Sequence, residues 1–178
     1  MLSENENQNI ENQGIVDEYD DDETSNETQL VSFNLEQEEF GLDIMQIQEI
    51  ITVPNITKIP RAPGFIEGII DLRDAVLPVI DLRKKLLLSP RELDENTRVI
   101  VVTVKGMVMG LIVDFVTEVL RLQNDKIEAA PTMISDVDTE YIKGISRIKR
   151  GLILILDVEK IFTSNEMQQM EHIKKANN

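Results

Sequence analysis

The chain repeats itself, and no other feature narrows its possible folds as much. With Gly41 set over Gly110, FGLDIMQIQEII (residues 40–51) lies over MGLIVDFVTEVL (residues 109–120), sharing the glycine, a leucine and the acid of Glu49 and Glu118. With Gly68 set over Gly144, FIEGIIDLRDAVLPVIDLRKKL (residues 65–86) lies over YIKGISRIKRGLILILDVEKIF (residues 141–162), and Asp81 falls on Asp157. Two blocks in the same order, at offsets of 69 and 76 residues, mark a duplicated module with a longer loop in the second copy.

Each copy opens with a β-branched or alternating run, residues 29–35 and 98–104, then a turn and a second strand at the paired glycines. Ile44, Ile47, Ile50 and Ile51 would also suit a helix. The sister stretch Ile112-Val113-Asp114-Phe115-Val116 is too β-branched for that, so strand, bend, strand is expected. A proline-bounded connector follows, residues 53–63 and 125–131, and then a strand pair around Arg73-Asp74 in one copy and Lys149-Arg150 in the other. Pro78 donates no ladder hydrogen bond and belongs at an edge or bulge.

About five strands per copy, joined by hairpins, predict a mainly β protein of two SH3-like barrels. A barrel of about 65 residues buries only around 60% of its surface, so the two should pack together. The expected body spans residues 29–164, with the first barrel roughly 29–95 and the second roughly 96–164, or with strands exchanged between them. Only seven aromatics occur and no Trp, so an aliphatic interface is expected. Residues 165–178 should form a C-terminal helix and tail with Met167, Met170 and Ile173 on one face.

Asp-Leu-Arg occurs twice, at residues 71–73 and 81–83. Asp81 and Asp157 hold equivalent places in the copies, which raises an aspartic-protease dyad as one reading. Such sites follow the acid with a small hydroxyl residue and Gly, whereas Leu-Arg and Val-Glu follow here; each Asp is better read as the cap of a short helix. Arg73 differs, since it falls at a hairpin turn and should point outward, offering a planar donor fork to a partner's carboxylates. Asp74 takes a turn position that favours glycine. The single histidine, His172, lies in the polar C-terminal stretch, and no nucleophile elbow, phosphate loop or dinucleotide fingerprint occurs. With no cysteine, thiolate chemistry and cysteine zinc sites are excluded. No catalytic residue, cofactor or metal is expected.

Charge is lopsided. The net value is −15, and residues 1–28 hold ten acids without one Lys or Arg. Such a segment is expected to be a disordered, solvated tail; its Asp20-Asp21-Asp22-Glu23 run lacks the alternating ligands and glycine of a calcium loop. The acidic sign argues against nucleic acid, and no apolar run approaches the roughly 20 residues of a membrane span, so neither nucleic-acid binding nor membrane insertion is expected. A cytosolic setting is the expectation from the lack of cysteine.

Taken together and in order, FGLDIMQIQEII, IPRAPGFIEGIIDLRDAVLPVIDLR and GLIVDFVTEVL resemble the signature stretches of the bacterial chemotaxis coupling family, CheW, over about residues 28–165. The resemblance implies paired five-stranded barrels and a non-enzymatic adaptor. Its partners would be the regulatory domain of the histidine kinase CheA and the cytoplasmic tips of chemoreceptors, at receptor arrays on the inner face of the membrane. It implies receptor contact through Arg73, Glu49 and Ile47, kinase contact through apolar surface of the second barrel, and backbone-shaping roles for Gly41, Gly68, Gly110 and Gly144. Asp71 and Asp74 stand where the family usually has Asn and Gly. A receiver-coupled adaptor of the CheV kind would need a further receiver domain, which these residues do not encode.

Overall fold

The computed structural model describes residues 26–130 and 140–177. Most of the expected tail lies outside these residues, but its end does not: Glu27 and Thr28 already belong to the first strand. In chain order the elements are β1 (Glu27–Leu35), β2 (Glu38–Asp43), β3 (Ile47–Thr52), β4 (Ile66–Leu72), β5 (Ala75–Asp81), α1 (Leu82–Lys85), β6 (Arg98–Val104), β7 (Met107–Val113), β8 (Phe115–Gln123), β9 (Ile127–Glu128), β10 (Ile142–Ile148), β11 (Gly151–Leu156) and α2 (Ser164–Ala176).

Strands from both copies build each sheet. One runs β8-β1-β2-β11-β10-β9 and the other β3-β6-β7-β5-β4, so the opening hairpin of each copy sits in the sheet completed by the other. The bend between the second and third strands carries the chain across: a 3-10 turn at residues 44–46 in one copy, the single residue Asp114 in the other. Each visiting hairpin is held by a short parallel ladder, Ile155 against Gly41 and Val79 against Gly110. Closure comes from the segments that follow. Thr57 bridges Ile69 beyond β3, and β9 pairs with Ile145 and Ser146 beyond β8.

The four paired glycines lie at these crossings. A Cβ on Gly68 would stand 2.2 Å from the Thr57 carbonyl oxygen, and one on Gly144 would stand 2.7 Å from Ile127 Cγ2 and 3.1 Å from the Glu128 oxygen. At Gly110 the obstacle is Val99 Cγ1 at 2.6 Å; at Gly41 it is Leu30 Cδ1 at 3.0 Å and Ile153 Cδ1 at 3.1 Å. At Gly68 and Gly144 neighbouring backbone stands where a methyl group would go, so a larger residue must shift the adjacent strand; at Gly41 and Gly110 it would press on packed side chains.

Strand alternation sorts the apolar residues into three cores. Val99, Val101, Leu77, Val79, Ile70 and Ile112 fill the five-stranded sheet, and Leu30, Ile153 and Ile155 fill the six-stranded one. The opposite faces, including Ile100, Val102, Leu111, Phe33, Leu42 and Leu156, meet in a larger shared core. The expectation of a purely aliphatic interface fails here. Phe33 stacks on Phe40 at 5.9 Å, Phe65 meets Phe162 at 6.1 Å, and Tyr141 packs on the same core, which concentrates the scarce aromatics in the core shared by the two sheets.

Helix α2 closes this core with buried Met167 and Met170 and half-buried Ile173, starting one residue before the expected boundary. Its start is set by a capping box in which Thr163 and Glu166 satisfy each other's backbone amides. Pro78 is not at a sheet edge, since β5 has neighbours on both sides, but it directly adjoins the β4–β5 bulge at Val79 and Ile80. It is tolerated because the parallel ladder to β7 begins only at Val79.

Candidate interaction site

The β4–β5 hairpin turns on Arg73 and Asp74, whose φ values of 52° and 63° place both in the left-handed region. Two such residues make the turn whose twist matches the flanking strands, a geometry usually given to Asn-Gly. The Arg73 side chain is 78% exposed, and its Nη2 donates to Glu49 Oε2 at 2.9 Å. Glu49 lies on β3, one of the two end strands of its sheet. A register shift between Ile47, opposite Val102, and Glu49, opposite Val101, breaks the alternation there. Ile47 therefore packs on the shared core while Glu49 reaches toward the turn. The fold thus brings Arg73 and Glu49 into contact, with Ile47 two residues away on the same strand. Asp71, Asp74 and Ile50 are exposed around them.

The sister turn carries a different knot. Arg150 Nε donates to Glu39 Oε2 at 2.7 Å, its Nη1 donates to Glu118 Oε1 at 2.6 Å, and its Nη2 binds Glu39 Oε1, which also accepts from the Ser32 hydroxyl. Glu118 is the equivalent of Glu49, so both copies pair the acid of the third strand with a hairpin arginine. Glu39 is buried, and its equivalent in the other copy is Val108. Arg150 holds the Glu39 carboxyl below the ordinary carboxylate range against the opposing pull of burial. The knot ties Arg150 to two carboxylates, whereas Arg73 has a single charged partner and an open flank.

The second Asp-Leu-Arg is absorbed by structure. Asp81 Oδ1 accepts from the amides of Arg83 at 2.9 Å and Lys84 at 3.4 Å, capping α1, and burial raises the Asp81 carboxyl. Asp157 accepts from the Glu159 amide at 3.0 Å at the start of a 3-10 turn. Arg83 clamps Asp114, Nε to Oδ1 at 2.7 Å and Nη2 to Oδ2 at 2.5 Å, while Asp114 also takes the Glu36 amide at 2.9 Å. Burial pushes the Asp114 carboxyl up, yet the bonds from Arg83 and the Glu36 amide carry it below its ordinary value. Sequence reasoning missed both ionic knots. The available signal was a lone acid inside Leu111-Ile112-Val113-Asp114-Phe115, which needs a partner once buried. Among the described residues no His, Cys, Asp and Glu group is arranged to hold a metal ion, and no helix is long and apolar enough to cross a membrane.

Residues 29–166 match the family profile of the CheW-like domain. The chain is 37% identical over 144 residues to the chemotaxis protein CheW of Klebsiella aerogenes, covering 81% of this chain and 87% of that protein. The CheW of Treponema pallidum is 32% identical over 149 residues, covering 82% and 88%. The crystal structure of the scaffolding protein TtCheW from Thermoanaerobacter tengcongensis superposes with a TM-score of 0.72 at 38% identity, covering 78% of this chain and 94% of that one.

Proposed function

The chain belongs to the CheW family of chemotaxis scaffold proteins, and from that premise we propose that it couples chemoreceptors to the histidine kinase CheA in the cytoplasm. The observation that carries the reading is the exposed arginine of the first hairpin, aimed by Glu49 beside an edge strand and held by nothing else charged among the described residues. An exposed ion pair of this kind contributes only about 0–1 kcal/mol to stability. Its positioning is therefore better explained by a partner than by folding. The Arg73 fork, Glu49 and the neighbouring Ile47 and Ile50 supply a charged rim with an apolar margin, suited to a helical receptor tip. The kinase regulatory domain docks on the other sheet, where Val119 and Leu152 are 55% and 51% exposed. Two weak contacts borne on one rigid body raise avidity without any chemical step, so the protein acts as a scaffold and not an enzyme.

The test is binding by purified protein to receptor-tip fragments and to CheA. Arg73→Ala is expected to weaken receptor binding by about two- to fivefold, as loss of an exposed rim charge does, while thermal stability and CheA binding stay near wild type. A large loss of stability with receptor binding intact would return Arg73 to a structural role.

A further inference from the structure

Five cations of the six-stranded sheet and its turns, Arg121, Lys126, Lys143, Arg147 and Lys149, are exposed and make no ion pair among the described residues. Three of them lie along the β8–β9 link and the strand paired with it. Arg121 lies opposite Gln29 on β1, and the Thr28 hydroxyl donates to Asn124 Oδ1, two residues before Lys126. Continuing the β9–β10 register by one step sets Lys126 beside Arg147. Val119, 55% exposed, stands two residues from Arg121 on the outer face of β8, an edge strand paired only with β1 among the described residues. The acids nearby, Glu27, Asp125 and Glu128, leave this face balanced rather than negative, although the chain as a whole carries −15.

The strand that emerges here, β1, begins at Glu27. Only Thr24, Ser25 and Asn26 separate it from Asp17-Glu18-Tyr19-Asp20-Asp21-Asp22-Glu23, which carries six acids. Four residue steps span at most about 14 Å, so Glu23 is tethered that close to the start of β1, comparable with the Debye length of about 8–10 Å. Ahead of this run stand Ile15 and Val16, and within it Tyr19. Its makeup of acids with a few apolar groups is the complement of Arg121, Lys126 and Arg147 beside Val119.

We propose that residues 15–23 dock in cis on the outer face of β8, with the acids of residues 17–23 against Arg121, Lys126 and Arg147 and the apolar residues against Val119. The bound segment shields the same face that the proposed function assigns to the kinase, so the N-terminal segment acts as an intramolecular competitor; this consequence, though not the docking, rests on that assignment. A short tether gives an effective concentration in the mM range. With a dissociation constant of the same order, the segment covers the face about half the time and reduces partner affinity roughly twofold.

Because the chain lacks cysteine, Gln13→Cys carries a single nitroxide label. Amide signals of Val119–Lys126 and Arg147 are expected to broaden in the full chain at low salt and to recover at high salt, about 0.5 M NaCl, where screening shortens the reach of charge. They should also recover when Arg121→Glu and Lys126→Glu are combined, with the rest of the amide spectrum unchanged as proof of folding. Broadening at these amides that persists through both salt and charge reversal would overturn the docking, as would its absence. Removing residues 1–24 is expected to raise CheA affinity about twofold. Docking without that gain leaves the cis contact standing and removes the kinase from this face.

Discussion

Asp114→Ala strikes the junction where the chain passes from one sheet to the other. The carboxylate takes two bonds from Arg83, at 2.7 and 2.5 Å, and the Glu36 amide at 2.9 Å. The Arg83 side chain is only 11% exposed and keeps its charge under all ordinary conditions. Truncation therefore strands a buried guanidinium, a loss of about 3–5 kcal/mol. Arg83 retains the Ser89 carbonyl at 2.7 Å and the Glu36 carboxylate at 3.7 Å, which places the expected loss near the lower end of that range, about 3 kcal/mol. For a chain of this size that is a fall in Tm of about 6–12 °C. Adding Arg83→Met removes the stranded charge while keeping the stem's packing, so the double variant should be about 2 kcal/mol better than the sum of the singles. Urea unfolding followed by circular dichroism, run as a double-mutant cycle, reads all four states. A loss below about 1 kcal/mol for Asp114→Ala, or a coupling within about 0.5 kcal/mol of zero, refutes the view that this pair locks the crossing.

Gly68→Ala is expected to destabilise by more than about 2 kcal/mol, because its methyl would fall 2.2 Å from the Thr57 carbonyl oxygen, whereas Gly64→Ala, with open space around it, should be near neutral in the same thermal assay. Asp81→Ala should cost about 1 kcal/mol by removing the α1 cap, while Asp81→Asn keeps a capping oxygen and sheds a buried charge, so its urea midpoint should stay close to wild type. The Glu39 and Asp114 carboxyls sit below their ordinary values in the fold, so the stability they add is fully present above the ordinary carboxylate pKa of about 4 and disappears as pH falls through their folded values. Urea midpoints followed from about pH 6 to about pH 2 should therefore drop below about pH 4, and Glu39→Gln should flatten that drop.

What the sequence alone determined is what lies within short reach along the chain. Alternation and β-branching in residues 98–104 and 151–156 place strands there because side chains in a strand face opposite ways every residue, a rule that needs no partner. The Arg73-Asp74 turn and the acids ahead of Leu82 and Val158 are legible for the same reason, since a turn or a helix start draws on groups two or three residues away. Even the pairing of sheets into one body follows from the size of each copy.

The tertiary structure decided which partners meet across long separations. Nothing near residue 41 or residue 110 says that each opening hairpin completes the sheet of the other copy; that depends on where a bend of one to three residues sends the chain. The ionic partners depend on it too. Arg150 reaches Glu39 across 111 positions, and Arg83 reaches Asp114 across 31, because strand exchange lays those segments side by side. The same exchange leaves Arg73 with Glu49 alone among the described residues. Two turns that read as equivalent in sequence thus become one arginine tied to two carboxylates and one left with a single partner, because charge pairing is set by distance in space and periodicity carries no distance beyond its own strand.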